Sequence, residues 1–192
     1  MTISKRITVS TLTALALAMP VPTLVNAQAG ALVTLVVPAG QFGSDQFTDL
    51  LVNSLGAAKG FCGALDDSYQ VDCLAERLNR LAGSIPEDSD YAEVRDLLEQ
   101  SSKEMAALAR SNRDTGKPRQ SASTGGANAQ ATTRPLTPVR DSSLAEVNQQ
   151  AAAILERTET LLLRTPDDDT GKKLHYTRIA EAIGSNKTLL RS

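Results

Sequence analysis

The fold is decided by residues 67–82, DSYQVDCLAERLNRLA, in which apolar side chains recur with the period of a helix. Val71, Leu74, Leu78 and Leu81 are separated by three, four and three residues, which places them on one face of an α-helix. A helix with one apolar face must bury that face against another element. The stretch therefore predicts an amphipathic helix inside a larger assembly of elements.

Four further segments repeat this rhythm, at residues 44–65, 89–111, 143–164 and from residue 165 onward. The spacing of three and four is typical of helices that pack nearly parallel or antiparallel. The sequence therefore predicts an all-α fold, a small bundle of about five amphipathic helices. Gly83 and Gly184 are predicted helix ends. Glu76 with Arg80, spaced i,i+4, is predicted to form a surface ion pair.

The two cysteines, Cys62 and Cys73, are predicted to form one disulfide. A zinc site would need two further ligands, and His175 is the only histidine in the chain. The spacing is also not the C-x-x-C of a redox pair. A bond that closes so short a loop stabilises a fold by roughly 3 kcal/mol.

The first 27 residues have the order of a secretory signal. Lys5 and Arg6 are followed by an uncharged apolar run, by two prolines and by the small residues that end at Ala27. We expect cleavage after Ala27 and therefore a periplasmic or secreted protein. The alternative is an uncleaved anchor, because apolar residues resume after the cleavage point and could complete a membrane span.

Two stretches lack a helical pattern. Residues 28–43 are rich in valine and leucine, and we interpret them as an extended apolar arm. Residues 112–142 are rich in Ser, Thr, Gly, Ala and Gln and contain three prolines. They are predicted to be a flexible, disordered linker between helices 1–3 (residues 44–111) and helices 4–5 (residues 143–192).

Composition narrows the functional classes. The chain has 192 residues, a net charge of -2, 3% aromatic residues and no Trp. The charge balance excludes a broadly basic nucleic-acid binder. Known nucleophile, zinc-protease and phosphate-loop motifs are missing from the sequence, so we expect neither enzymatic activity nor a cofactor. The acidic run of residues 167–169 does not match the spacing of a calcium loop, so no metal site is predicted.

Two groups of residues are candidates for contact with other molecules. Leu161, Leu162 and Leu163 are consecutive on a helix and cannot all face one core, so at least one is predicted to bind a partner. A basic cluster of Lys172, Lys173 and Arg178 is a weaker candidate for contact with an anionic surface. The neighbouring His175 is interpreted as an exposed side chain without a role.

These observations favour an exported, non-enzymatic protein-protein interaction module of the bacterial-type periplasm or cell exterior. Its partner would be another envelope or extracellular protein, or a second copy of the chain. One alternative is an envelope scaffold tethered by the uncleaved N-terminus. Another is an exported binder of a small ligand.

Overall fold

A computed structural model describes residues 45–125, 129–164 and 170–191. These ranges contain five α-helices: α1 (Asp45–Gly63), α2 (Asp67–Gly83), α3 (Ala92–Ser111), α4 (Leu144–Arg164) and α5 (Thr170–Asn186). Short 3-10 helices precede α4 (Asp141–Ser143) and follow α5 (Lys187–Arg191). The described ranges contain no β-strand, so the predicted all-α bundle is confirmed.

The predicted signal peptide (residues 1–27) and the predicted apolar arm (residues 28–43) lie outside the described residues. Among the helices that the structure does describe, none combines the length and the apolar character that a membrane span needs.

Helix α2 is the centre of the bundle. Its apolar stripe is buried, as predicted, and α3 and α1 pack against it. The opposite side of α2 is buried as well, including the charged side chains of Asp72 and Glu76. The helix ends at Gly83, as predicted, whereas α5 continues past Gly184 to Asn186.

The start of α2 is fixed by Asp66, the residue before its first turn. The Asp66 carboxylate accepts hydrogen bonds from the Ser68 backbone N–H at 3.1 Å and from the Ser68 hydroxyl at 2.5 Å. The first N–H groups of a helix have no partner within the helix, so this cap satisfies a donor that would otherwise be unpaired. The same hydrogen bonds lower the pKa of Asp66 below its usual 3.8.

The disulfide between Cys62 and Cys73 is confirmed. It joins the last turn of α1 to the middle of α2, with a Cα–Cα distance of 5.7 Å. Both cysteines have an exposed fraction of 0%. Because no solvent reaches the sulfur atoms, the bond acts as a structural crosslink between two core helices.

The prediction of a flexible linker at residues 112–142 needs correction. Its described arms run antiparallel and are bridged at Arg113 with Val139, at Gln120 with Leu136 and at Ser123 with Ala131. We call the arms, residues 112–125 and 129–140, the strap. The strap lies along the side of α2 that carries Asp72 and Glu76, opposite the apolar stripe.

The strap is held by a few apolar contacts and many polar ones. Leu136 and Val139 are fully buried in the core. The Val139 N–H donates to the Ser68 carbonyl of α2 at 2.8 Å, and the Tyr69 hydroxyl donates to the Pro118 carbonyl at 2.7 Å. A polar composition suggested disorder because it offers little apolar surface. Here the missing apolar contacts are replaced by hydrogen bonds to buried groups of α2.

Candidate functional site

The three consecutive leucines at the end of α4 do not share one environment. Leu162 is fully buried, whereas Leu161 is 38% and Leu163 is 46% exposed. Each residue turns by about 100° around a helix, so the neighbours of a core residue point away from the core. The structure thus places two of the predicted residues at the surface, and their role in binding stays a prediction.

A third exposed leucine, Leu174, lies on α5 and was not identified from the sequence. It is 59% exposed, the most exposed large apolar side chain that the structure describes. The buried stripe of α5 contains Tyr176, Ile179 and Ile183. Leu174 lies two residues before Tyr176, the first residue of that stripe, and is therefore about 200° away around the helix. The sequence could have identified Leu174 by this offset.

Leu161, Leu163 and Leu174 form what we call the leucine surface. Residues 165–169 are all that separates the end of α4 from the start of α5, and the two helices pack against each other. The three leucines therefore belong to the same end of the bundle. Within the described ranges they are the only large apolar side chains that are exposed. Leu161 and Leu163 are about 200° apart around α4, so the leucine surface extends around both sides of this helix end rather than over one face.

The predicted basic cluster is only partly available to an external anion. Arg178 forms an ion pair with Asp49 and lies 4.0 Å from Asp45, both on α1. The hydrogen bond to Asp49 raises the pKa of Arg178. The ammonium of Lys172 lies 5.3 Å from the centre of the Tyr176 ring. Arg178 thus joins α5 to α1, while Lys173 is exposed.

The interpretation of His175 as an exposed residue is wrong. The side chain is buried, with its Nδ1 atom 2.8 Å from the Thr48 hydroxyl oxygen. The same hydroxyl oxygen lies 2.9 Å from the Tyr91 hydroxyl. Burial raises the pKa of Tyr91. This cluster hydrogen-bonds α5 to α1 inside the core, where polar side chains need such partners.

Sequence reasoning also missed two carboxylates on α2 that anchor the strap. Asp72 accepts hydrogen bonds from both terminal nitrogens of Arg134, at 2.5 and 2.8 Å, and from the Thr137 N–H at 2.7 Å. Glu76 accepts from the backbone N–H and the hydroxyl of Thr133, at 2.9 and 2.8 Å. The hydrogen bond to Asp72 raises the pKa of Arg134.

The predicted surface ion pair of Glu76 with Arg80 is wrong, because both side chains contact the strap instead. Glu76 is 3% exposed and its second oxygen lies 3.6 Å from Arg77, while Arg80 donates to the Ala131 carbonyl of the strap at 2.9 Å. Asp72 and Glu76 are four residues apart and so share one side of the helix. The spacing indicates that the two carboxylates face the same surroundings, but it does not identify the segment that binds them.

No group of three or more His, Cys, Asp or Glu side chains in the described part of the chain could hold a metal ion. The acidic run at residues 167–169, already predicted not to bind calcium, lies outside that part.

Comparison with known proteins adds no functional assignment. No protein-family model matches the chain, and neither a curated protein nor a solved structure is similar to it. The arguments for function therefore come from the leucine surface, the disulfide and the strap.

Proposed function

We propose that this protein is an exported helical module that binds another protein through the leucine surface. The observation that carries the proposal is the exposure of Leu161, Leu163 and Leu174, which belong to one end of the bundle. Exposed apolar patches commonly mark sites of protein association, because water is released when a partner covers them.

The disulfide supports the assignment to an oxidising compartment. Such bonds persist in the periplasm and outside the cell and are rare in the cytosol. The order of charged, apolar and small residues in the first 27 positions agrees with this location. The proposed partner is accordingly an envelope or extracellular protein.

The flanking charges agree with a protein partner better than with an anionic surface. Arg164, Lys172 and Lys173 contribute three positive charges near the leucines, and the intervening sequence contains three aspartates at positions 167–169. Counted along the sequence, the three positive and three negative charges sum to zero, so the net charge of this stretch gives little attraction to an anionic polymer or lipid. A mixed polar rim around an apolar centre is the usual composition of a protein interface.

Site-specific photo-crosslinking in the native host tests the surface. A photoreactive amino acid would replace Leu163 or Leu174, with Gln149 as the matched control. Gln149 is exposed on α4 and lies 14 residues before Leu163, which is about four helical turns along nearly the same face. We expect one discrete adduct from Leu163 and from Leu174 and none from Gln149.

A second substitution then links the adduct to the surface. Leu163→Glu should abolish the adduct formed from the probe at Leu174, while the protein stays folded by circular dichroism. Adducts that are the same from all three positions, or a Leu174 adduct that survives Leu163→Glu, would contradict the proposed interface.

Cell fractionation with intact-mass measurement tests the location separately. A soluble species that lacks residues 1–27 and gains the mass of two hydrogen atoms on reduction in denaturant supports export. A full-length species in the membrane fraction would replace this part of the proposal with the tethered scaffold.

A further inference from the structure

A polar cleft of about 240 Å³ lies where α2, α3 and the strap meet, and it shares no residue with the leucine surface. Buried Ser102 and Ala106 of α3 form part of its wall. Its outer lining is polar or cationic and comprises Asn79, Lys103, Arg110, Thr133 and Arg134. Three cations thus border one cleft in a chain whose net charge is -2.

The carboxylate that lines the cleft is partly compensated inside the protein, although its Oε2 atom is buried and accepts no hydrogen bond from the described residues. One oxygen of Glu76 accepts the two hydrogen bonds from Thr133, and the other lies 3.6 Å from Arg77. Glu76 is also 3% exposed, so its charge faces the core contacts rather than the solvent. A ligand that enters the cleft therefore meets the cations of the lining first.

The three cations differ in how far they are engaged. Arg134 is held by Asp72, and Lys103 pairs with Glu99 at 2.5 Å in a largely exposed contact. Arg110 is exposed, and across the described residues it makes no salt bridge with any carboxylate. Its guanidinium therefore keeps its full capacity to bind an anion.

The end of α3 opposes an anion, and hydrogen bonds offset part of this effect at one carbonyl. Carbonyl groups of a last helical turn carry partial negative charge. The Leu108 carbonyl, however, already accepts hydrogen bonds from the Asn112 backbone N–H at 3.2 Å and from its side-chain amide at 3.0 Å. Its lone pairs are directed at those donors.

We propose that this cleft binds a small molecule through an oxyanion, either a carboxylate or a phosphate group. Arg110 is the principal ligand, with Lys103 and the side-chain amide of Asn79 as further donors. A guanidinium fork matches the two oxygens of a carboxylate or phosphate and binds them by two parallel hydrogen bonds. The cleft is smaller than the roughly 300–1,000 Å³ of sites for drug-sized ligands, so the ligand is small.

Titration followed by ¹H–¹⁵N NMR tests the site on the intact folded protein. Inorganic phosphate and malonate are added in separate series, and sodium chloride at the same ionic strength is the reference. We expect saturable shifts at amides near Asn79, Lys103 and Arg110 with phosphate, with malonate or with both, and the series that saturates at lower concentration identifies the oxyanion.

Substitution assigns the shifts to the cleft. Arg110→Gln should weaken binding about tenfold or more, since a hydrogen bond to a charged group is being lost. Lys103→Gln should weaken it by a smaller factor. Arg119→Gln, an exposed arginine of the strap outside the lining, is the matched control and should leave the affinity unchanged.

Two results would overturn the proposal. One is a set of shifts that sodium chloride reproduces at equal ionic strength, since that response is screening rather than binding. The other is an equal loss of affinity in Arg110→Gln and Arg119→Gln. Because Arg110 is exposed, its substitution leaves the fold intact, and circular dichroism of each variant verifies this.

Discussion

Removing Arg134 should destabilise the protein more than removing the charge of its partner, Asp72. Asp72 is 1% exposed, whereas the Arg134 side chain is 39% exposed. In Arg134→Gln the buried carboxylate keeps its charge and retains only the Thr137 N–H at 2.7 Å as a donor. In Asp72→Asn the buried charge disappears and the arginine can turn toward water.

The magnitudes follow from these two situations. Removing one partner of a buried ion pair costs about 3–5 kcal/mol. Because Arg134 is partly exposed, water can enter beside Asp72 in Arg134→Gln, so we expect a cost of about 3 kcal/mol, at the lower end of that range. Asp72→Asn loses charge-assisted hydrogen bonds but leaves no buried charge, and we expect a cost of about 1–2 kcal/mol. The double variant should resemble Asp72→Asn alone. It should therefore be more stable than Arg134→Gln, although it carries one more substitution.

Urea unfolding followed by circular dichroism at pH 7 measures all three variants. Arg119→Gln, on the exposed side of the strap, is the control and should change the free energy of unfolding by less than about 0.5 kcal/mol. Costs near zero for both single variants would mean that the strap is a free linker. Strict additivity in the double variant would mean that Asp72 and Arg134 do not interact.

Three further outcomes are expected. Replacing Cys62 and Cys73 by alanine should lower the free energy of unfolding by roughly 3 kcal/mol. In the native protein, reductant without denaturant should leave the disulfide unbroken, as mass spectrometry of the whole protein would show, because both sulfur atoms are buried. Asp66→Ala should cost about 1 kcal/mol in urea unfolding at pH 7. Since the folded protein lowers the pKa of Asp66 from its usual 3.8, this cost is fully present above that value and should shrink as the pH falls through the lowered pKa. Asp66→Asn removes the same titration, so its cost should fall by the same amount, from a smaller starting value because asparagine is also a good N-cap. Leu162→Ala should cost about 2–5 kcal/mol by the same assay and Leu163→Ala less than about 0.5 kcal/mol, a difference that equal costs would contradict.

Local periodicity predicted the helices and much of the core. The stripe from Val71 to Leu81 is buried where its spacing placed it, and the pairing of Cys62 with Cys73 followed from their number and the single histidine. Such patterns report on neighbours three or four residues apart.

The strap could not be predicted in this way. Asp72 contacts Arg134 across 62 residues and Glu76 contacts Thr133 across 57. No local pattern records a separation of that size, and the polar composition of the strap concealed its order. Leu163 was found because it is one of three consecutive leucines, which cannot all face one core, whereas Leu174 belongs to no such run and was overlooked.

The buried carboxylates of α2 also bear on how the chain folds. The strap follows α3 in sequence, so the first three helices can pack before it arrives. Until then, Asp72 and Glu76 stand on the uncovered side of α2, where water hydrates them. An intermediate of this kind would carry these charges beside the apolar surface that Leu136 and Val139 later cover, and the charges would oppose association with other unfinished chains.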